Sequence, residues 1–174
     1  MVSFDPTADF FQIFALDRGY ALDRDALERR YLELASAVHP DRFVGAPAGE
    51  RRLAMERSSA LNEAYRALRD PVRRAEYLVK LGGVDLDSSD PETGAPRPTQ
   101  AFLIEMIELR EQLEEARGDD DAVDELRDAI ETRAGGALDD AIAALGRGET
   151  PAAARALVVH RYLRRFLEEV DGDD

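Results

Sequence analysis

There is no cysteine in the 174 residues of this chain. It can therefore form no disulfide and supply no thiolate, so by itself it holds neither an iron–sulfur cluster nor a cysteine-type zinc site. No metal site and no cofactor are expected, and any metal chemistry it serves must run through another molecule. Basic charge is also scarce. With 23 Lys and Arg against 37 Asp and Glu, the formal charge is -14 and the pI about 4.6. Nucleic acid is excluded as a partner, since phosphate binding needs a basic stripe that releases counterions, and a membrane surface is disfavoured for the same reason. No apolar run approaches the roughly 20 residues of a membrane span. The N-terminus lacks the basic-then-apolar plan of a secretion signal, so a cytoplasmic location is expected. Neither a glycine-rich phosphate loop nor an alternating strand pattern occurs.

What is present is helical periodicity, organised around Val38-His39-Pro40-Asp41-Arg42. Leu27, Tyr31, Leu34 and Val38 recur at helical spacing, and Pro40 stops that helix because proline has no amide hydrogen and forces the preceding residue into extended geometry. His39 then lies at the helix C-terminus, with Asp41 on a stiffened turn beside it. Before this helix, Phe4-Asp5-Pro6 opens an irregular lead. Thr7 or Asp9 caps a short helix carrying Phe10, Phe11, Ile13 and Phe14, and Leu22-Asp23-Arg24-Asp25 reads as a cap before the helix Ala26 to Val38. A third helix is expected from about Ala48 to Leu68, with Leu53, Ala54, Leu61, Ala64, Tyr65 and Leu68 in the core. After Asp70-Pro71 a fourth runs from Val72 to Leu81.

Residues 84–99 are rich in Asp, Ser, Pro and Gly and read as a linker. Helices then follow at Gln100 to Ala116, Ala122 to Leu145 with a weak point at Gly135-Gly136, and Ala152 to Val170, joined by short polar segments that suit an antiparallel three-helix bundle. Asp171-Gly172-Asp173-Asp174 reads as a frayed acidic end. The first bundle helix is apolar on two sides. At about 100° per residue, Phe102, Met106, Leu109 and Leu113 form one narrow stripe for the core, while Leu103, Ile104 and Ile107 lie on the other side beside Glu108, Glu111 and Glu115. This second face is either a partner site rimmed by carboxylates or a surface covered by the folded-back linker; the pattern alone leaves both open.

Two motifs in order carry a family. His39-Pro40-Asp41-Arg42-Phe43 and then Leu61-Asn62-Glu63-Ala64-Tyr65-Arg66-Ala67-Leu68-Arg69-Asp70-Pro71 closely resemble a J domain, the module that activates DnaK-class chaperones. Arg74-Ala75-Glu76-Tyr77-Leu78 and the run Phe102 to Glu111 are similar to HscB, the J-type co-chaperone of bacterial iron–sulfur cluster assembly. The resemblance implies an all-α fold, with an N-terminal J domain over residues 1–82 (a helical hairpin with flanking short helices), a linker over 83–99 and a C-terminal three-helix bundle over 100–174. It further implies that His39, Pro40 and Asp41 activate HscA, a DnaK-class ATPase, and that Leu103, Ile104, Ile107, Glu108, Glu111 and Glu115, with Tyr162 of the last helix, hold an IscU-type scaffold. On this reading Asp41 offers its carboxylate to a chaperone arginine. One departure stands out: the helix before the loop is usually strongly basic in J domains, and here only Arg29, Arg30 and Arg42 are obvious docking charges. The glycine/phenylalanine-rich and cysteine-rich segments of general J proteins are absent, which leaves client choice to the bundle.

Two other classes compete. An enzyme lacks support, because His39 and His160 are far apart, no cysteine nucleophile exists, and the carboxylates follow helix surfaces where solvated charge is the ordinary reading. An inert helical adaptor with a degenerate J domain is the other. Stimulation of a chaperone ATPase separates the co-chaperone from both.

Overall fold

The computed structural model of the chain describes residues 8–172; the Phe4-Asp5-Pro6 lead, Thr7 and the final two aspartates lie outside them. The described residues form seven α-helices, and the only bridge between extended backbone segments among them pairs Asp85 with Gly94. Contacts divide the chain into two compact units, Met1–Tyr77 and Leu78–Asp174, so residues 78–99 group with the helices that follow them.

In the first unit, α1 (Phe10–Ile13) is opened by a capping box: the Asp9 carboxylate accepts the Gln12 N–H while the Gln12 side chain accepts the Asp9 N–H. The helix is held against α4 (Pro71–Leu81) by Tyr77, whose ring stacks on Phe10 at 4.0 Å and whose hydroxyl accepts the Phe10 N–H. Helices α2 (Arg24–Val38) and α3 (Ala48–Arg69) form the hairpin. Within the expected cap stretch it is Asp23 that caps α2, accepting the Ala26 N–H, so the helix begins at Arg24, two residues before the expected start. Tyr31 and Tyr65 stack at 4.0 Å across the hairpin; the Tyr31 hydroxyl donates to Asn62 and the Tyr65 hydroxyl to Glu28. Of the stripe expected on α2, Leu27 is buried, whereas Tyr31, Leu34 and Val38 are half-buried.

Five of the six core positions expected on α3 are buried, and Leu53 is not: it is 43% exposed. At about 100° from Ala54 on the helix surface, it faces a groove lined by Val38, Arg42 and Phe43 that the turn after α2 does not fill.

Asp70 and Pro71 start α4 together. The Asp70 carboxylate accepts the Arg73 N–H at 2.9 Å, while proline occupies the first helical position, where its missing N–H costs nothing. Arg74 is the one cation buried in this unit among the described residues. Its guanidinium donates to the carbonyls of Leu68 (2.7 Å), Arg69 (3.4 Å) and Tyr20 (2.8 Å). The first two belong to the last turn of α3, whose carbonyls have no partner within the helix, so Arg74 caps α3 and ties the segment before α2 to it. Burial draws its pKa below the ordinary arginine value, and the nearby Tyr20 and Asp70 oppose that shift.

In the second unit, α5 (Gln100–Ala116), α6 (Asp120–Gly146) and α7 (Thr150–Gly172) form the bundle. Phe102, Met106 and Leu113 of α5 meet Ile130 and Ala134 of α6 and Leu163, Phe166, Leu167 and Val170 of α7, with Leu109 partly buried at the edge. Helices α6 and α7 pack on each other far more extensively than α5 packs on α6. Buried Ala137, Ala141 and Ala144 of α6 and Ala153 and Ala154 of α7 permit that close approach.

Two expectations are corrected. Gly135-Gly136 does not interrupt α6; both glycines are exposed, and their cost of about 1 kcal/mol each relative to alanine is overcome by the buried alanines on either side. Asp171 and Gly172 are not frayed. They continue α7, where the Asp171 carboxylate accepts from Arg127 at 3.0 Å.

Replacing Arg74 with Leu leaves three carbonyls without their donor, and is expected to lower the unfolding free energy by about 2–4 kcal/mol, read from chemical denaturation. A loss below about 1 kcal/mol would show that the cap is dispensable.

Candidate partner-binding sites

The first site is the turn after α2. His39 is the C-terminal cap of that helix with extended ψ, as a residue before proline must be, and residues Pro40–Phe43 form a single 3-10 turn. The turn is held by its own backbone, since Arg42 N–H donates to the His39 carbonyl at 3.0 Å. The imidazole adds a second tie. Its Nδ1 accepts the Asp41 N–H at 3.3 Å and lies 3.5 Å from the Asp41 carboxylate. An Nδ1 that accepts carries no proton, so in the neutral ring the hydrogen sits on Nε2; a protonated ring would instead donate to the carboxylate. In either state histidine orients the turn, and the Asp41 side chain remains 84% exposed.

Of the arginines expected to dock, Arg42 donates to the Ser36 carbonyl at 3.2 Å, and Arg30 donates to the Phe14 carbonyl at 3.3 Å and pairs with Glu33. Arg29 is exposed with no ion-pair partner among the described residues. The turn also borders the groove lined by Ala37, Val38, Phe43, Leu53 and Arg57, with a volume of about 330 Å³. Leu32, Val44 and Met55 are further exposed apolar side chains of this unit. Sequence reasoning missed this apolar surface. Its signal was an aliphatic at position 53 falling on a shoulder of the α3 stripe.

The second site is the outward side of α5. Leu103, Ile104 and Ile107 are 42%, 49% and 56% exposed, and Glu108, Glu111 and Glu115 are exposed alongside them. Tyr162 of α7, 41% exposed, sets its ring edge-on to Phe102 at 5.8 Å between centroids. That contact joins the α5 flank to the surface of α7. The same phenylalanine ring carries the Arg133 guanidinium, which pairs with Glu105. The seven residues expected to hold a scaffold are thus all exposed.

The open alternative, a linker folded over this flank, does not occur. Residues 84–98 fold onto α7 instead: Leu86 is buried, its carbonyl accepts from Arg161 at 3.0 Å, and Asp87 pairs with the same guanidinium at 2.9 Å. His160 is buried with its Nδ1 2.9 Å from the Ala134 carbonyl, a packing role between α7 and α6.

The sequence matches the DnaJ domain family over residues 9–77 and the family described as the HSCB C-terminal oligomerisation domain over residues 98–171. The co-chaperone protein HscB homolog of Azoarcus sp. (strain BH72) is 35% identical over 179 residues, which cover 98% of this chain and 96% of the relative. The chain belongs to the HscB family of J-domain co-chaperones. Its similarity to the HscB homolog of Bordetella avium is higher and shorter, at 43% over 123 residues, or 71% of each chain. The crystal structure of human co-chaperone protein HscB superimposes with a TM-score of 0.82 at 28% identity, covering 98% of this chain and 84% of the human one. The all-α fold, with a J domain ahead of an HscB-type C-terminal domain, therefore stands as the sequence led us to expect.

If the α5 flank is a surface rather than a core, Leu103→Ala, Ile104→Ala and Ile107→Ala should each change unfolding free energy by less than about 1 kcal/mol. Met106→Ala, by contrast, should cost about 2–5 kcal/mol. Equal losses on both sides of the helix, measured by urea titration, would mean the flank is covered.

Proposed function

We propose that this HscB-family chain brings an IscU-type iron–sulfur scaffold to HscA, a DnaK-class chaperone, and stimulates that chaperone's ATPase, without chemistry of its own. The observation carrying this reading is that an acidic turn and an apolar helix flank are each exposed on a different compact unit, one suited to each partner.

At the turn, Asp41 offers a carboxylate that, among the described residues, only His39 approaches, ready for a charge-assisted and bidentate contact with a chaperone arginine. Pro40 limits the backbone, His39 holds the Asp41 amide, and Arg29, Arg30 and Arg42 add positive charge around it. The 3-10 turn is formed before binding, so the contact loses little conformational entropy on association.

At the bundle, fully burying an aliphatic side chain gains about 1.5–3 kcal/mol. Leu103, Ile104 and Ile107 are already about half covered, so the flank has about half of that left to gain from each, and Tyr162 adds a comparable share. Association costs take much of it. The result is a modest, reversible hold, as delivery demands. Glu108, Glu111 and Glu115 favour a scaffold segment that carries basic residues and speed its approach. The cluster is the scaffold's cargo.

Replacing Asp41 with Asn keeps the size of the side chain and removes its charge. ATPase stimulation of the chaperone is expected to disappear while the helical circular dichroism signal stays unchanged; undiminished stimulation would take the turn out of the mechanism. The triple change of Leu103, Ile104 and Ile107 to Ala should weaken scaffold capture by at least about tenfold and spare ATPase stimulation measured without scaffold.

A further inference from the structure

The surface of α7 does not end at Tyr162. Between that ring and the folded-back segment runs a groove of about 450 Å³, whose lining includes Leu86, Arg97, Arg161, Tyr162 and Arg165. Three of its side chains are arginines, in a chain whose net charge is -14. Arg161 is engaged by Leu86 and Asp87 and serves as part of the wall. Arg97 and Arg165 are exposed and have no ion-pair partner among the described residues.

The far wall is firm. The Asp90 carboxylate accepts the Thr93 and Glu92 N–H groups and the Thr93 hydroxyl, which holds it below the ordinary carboxylate range. Gly94 closes the turn where a Cβ would lie 2.4 Å from the Asp90 carbonyl. Lys80 anchors the start of the segment at Asp85. A basic, preformed groove thus adjoins an acidic-rimmed apolar flank, and Tyr162 belongs to both.

We propose that this groove is a second subsite for the scaffold, taking an extended acidic segment of that protein while the α5 flank takes its apolar and basic surface. The proposal rests on the scaffold reading given above. A mutual fit with opposite charges on the two sides of Tyr162 fixes the orientation of the bound protein, because a reversed pose sets glutamates against acids and arginines against bases. The α5 flank alone offers only one such sign.

The test uses the full-length chain and a purified IscU-type scaffold, with affinities from calorimetry at about 50 mM and about 300 mM salt, conditions between which screening of exposed charges deepens. The double variant Arg97→Glu with Arg165→Glu is expected to bind about tenfold more weakly at low salt and to lose less at high salt. A charge-matched control, Arg155→Glu with Arg164→Glu, alters exposed α7 arginines outside the groove and should change affinity less than about threefold. Equal loss in the control, or unchanged affinity in the groove variant, overturns the subsite. The outcomes also separate the two readings. If Leu103, Ile104 and Ile107 changed together to Ala abolish binding while the groove variant binds normally, the subsite fails and the flank stands. If only the groove variant loses binding, the flank fails and the subsite stands. No binding by the unaltered chain overturns both.

Discussion

A three-helix bundle has room in its core for one stripe of each helix, and α5 carries two. Its inner stripe, Phe102, Met106 and Leu113, is enough to close the second unit against α6 and α7, which are already committed to each other through small buried alanines. Among the described residues of the unit, nothing remains to cover Leu103, Ile104 and Ile107. A sequence under selection for stability alone would place polar residues there, since exposed aliphatics gain little and invite association. The surplus apolar face is the constraint on which the functional reading of the second unit depends.

The first unit meets a different demand: to present a short turn with its acid outward and its backbone fixed. The Tyr31–Tyr65 stack and the Tyr31–Asn62 hydrogen bond join α2 to α3 in register. At the other end of the hairpin Arg74 satisfies the last carbonyls of α3. The motif residues between Leu61 and Pro71 are therefore mostly structural: Leu61, Ala64, Tyr65 and Leu68 are buried, Asn62 receives Tyr31, and Asp70 with Pro71 begins α4. What they support is the one turn, Pro40–Phe43, whose Asp41 is left facing outward.

Much of this was legible before any coordinates. The 3.6-residue stripe places α5 at Gln100–Ala116, and His39-Pro40 forces the end of α2, because both signals are local. The exposure of the α5 flank was legible as a choice between two outcomes, and tertiary contact decided it: the segment before α5 has one strongly apolar anchor, Leu86, and that anchor seats on α7. Leu53 was misread because a residue on the shoulder of a helical stripe is buried only if something stands opposite, which a one-dimensional pattern does not contain. Gly135-Gly136 was misread for the converse reason, since packing by neighbouring alanines outweighs weak local propensity. Arg97 and Arg165 are far apart in sequence, and only the fold makes them neighbours of one groove.

The central claim is that two units of one chain hold two different proteins. Backbone amide NMR of the isotopically labelled full-length chain, titrated separately with scaffold and with ATP-bound chaperone, addresses it most directly. The account predicts that scaffold perturbs residues 103–107 and 162 while leaving 39–43 unchanged, and that chaperone does the reverse. Both partners acting on the same residues, or scaffold leaving the α5 flank untouched, would contradict it.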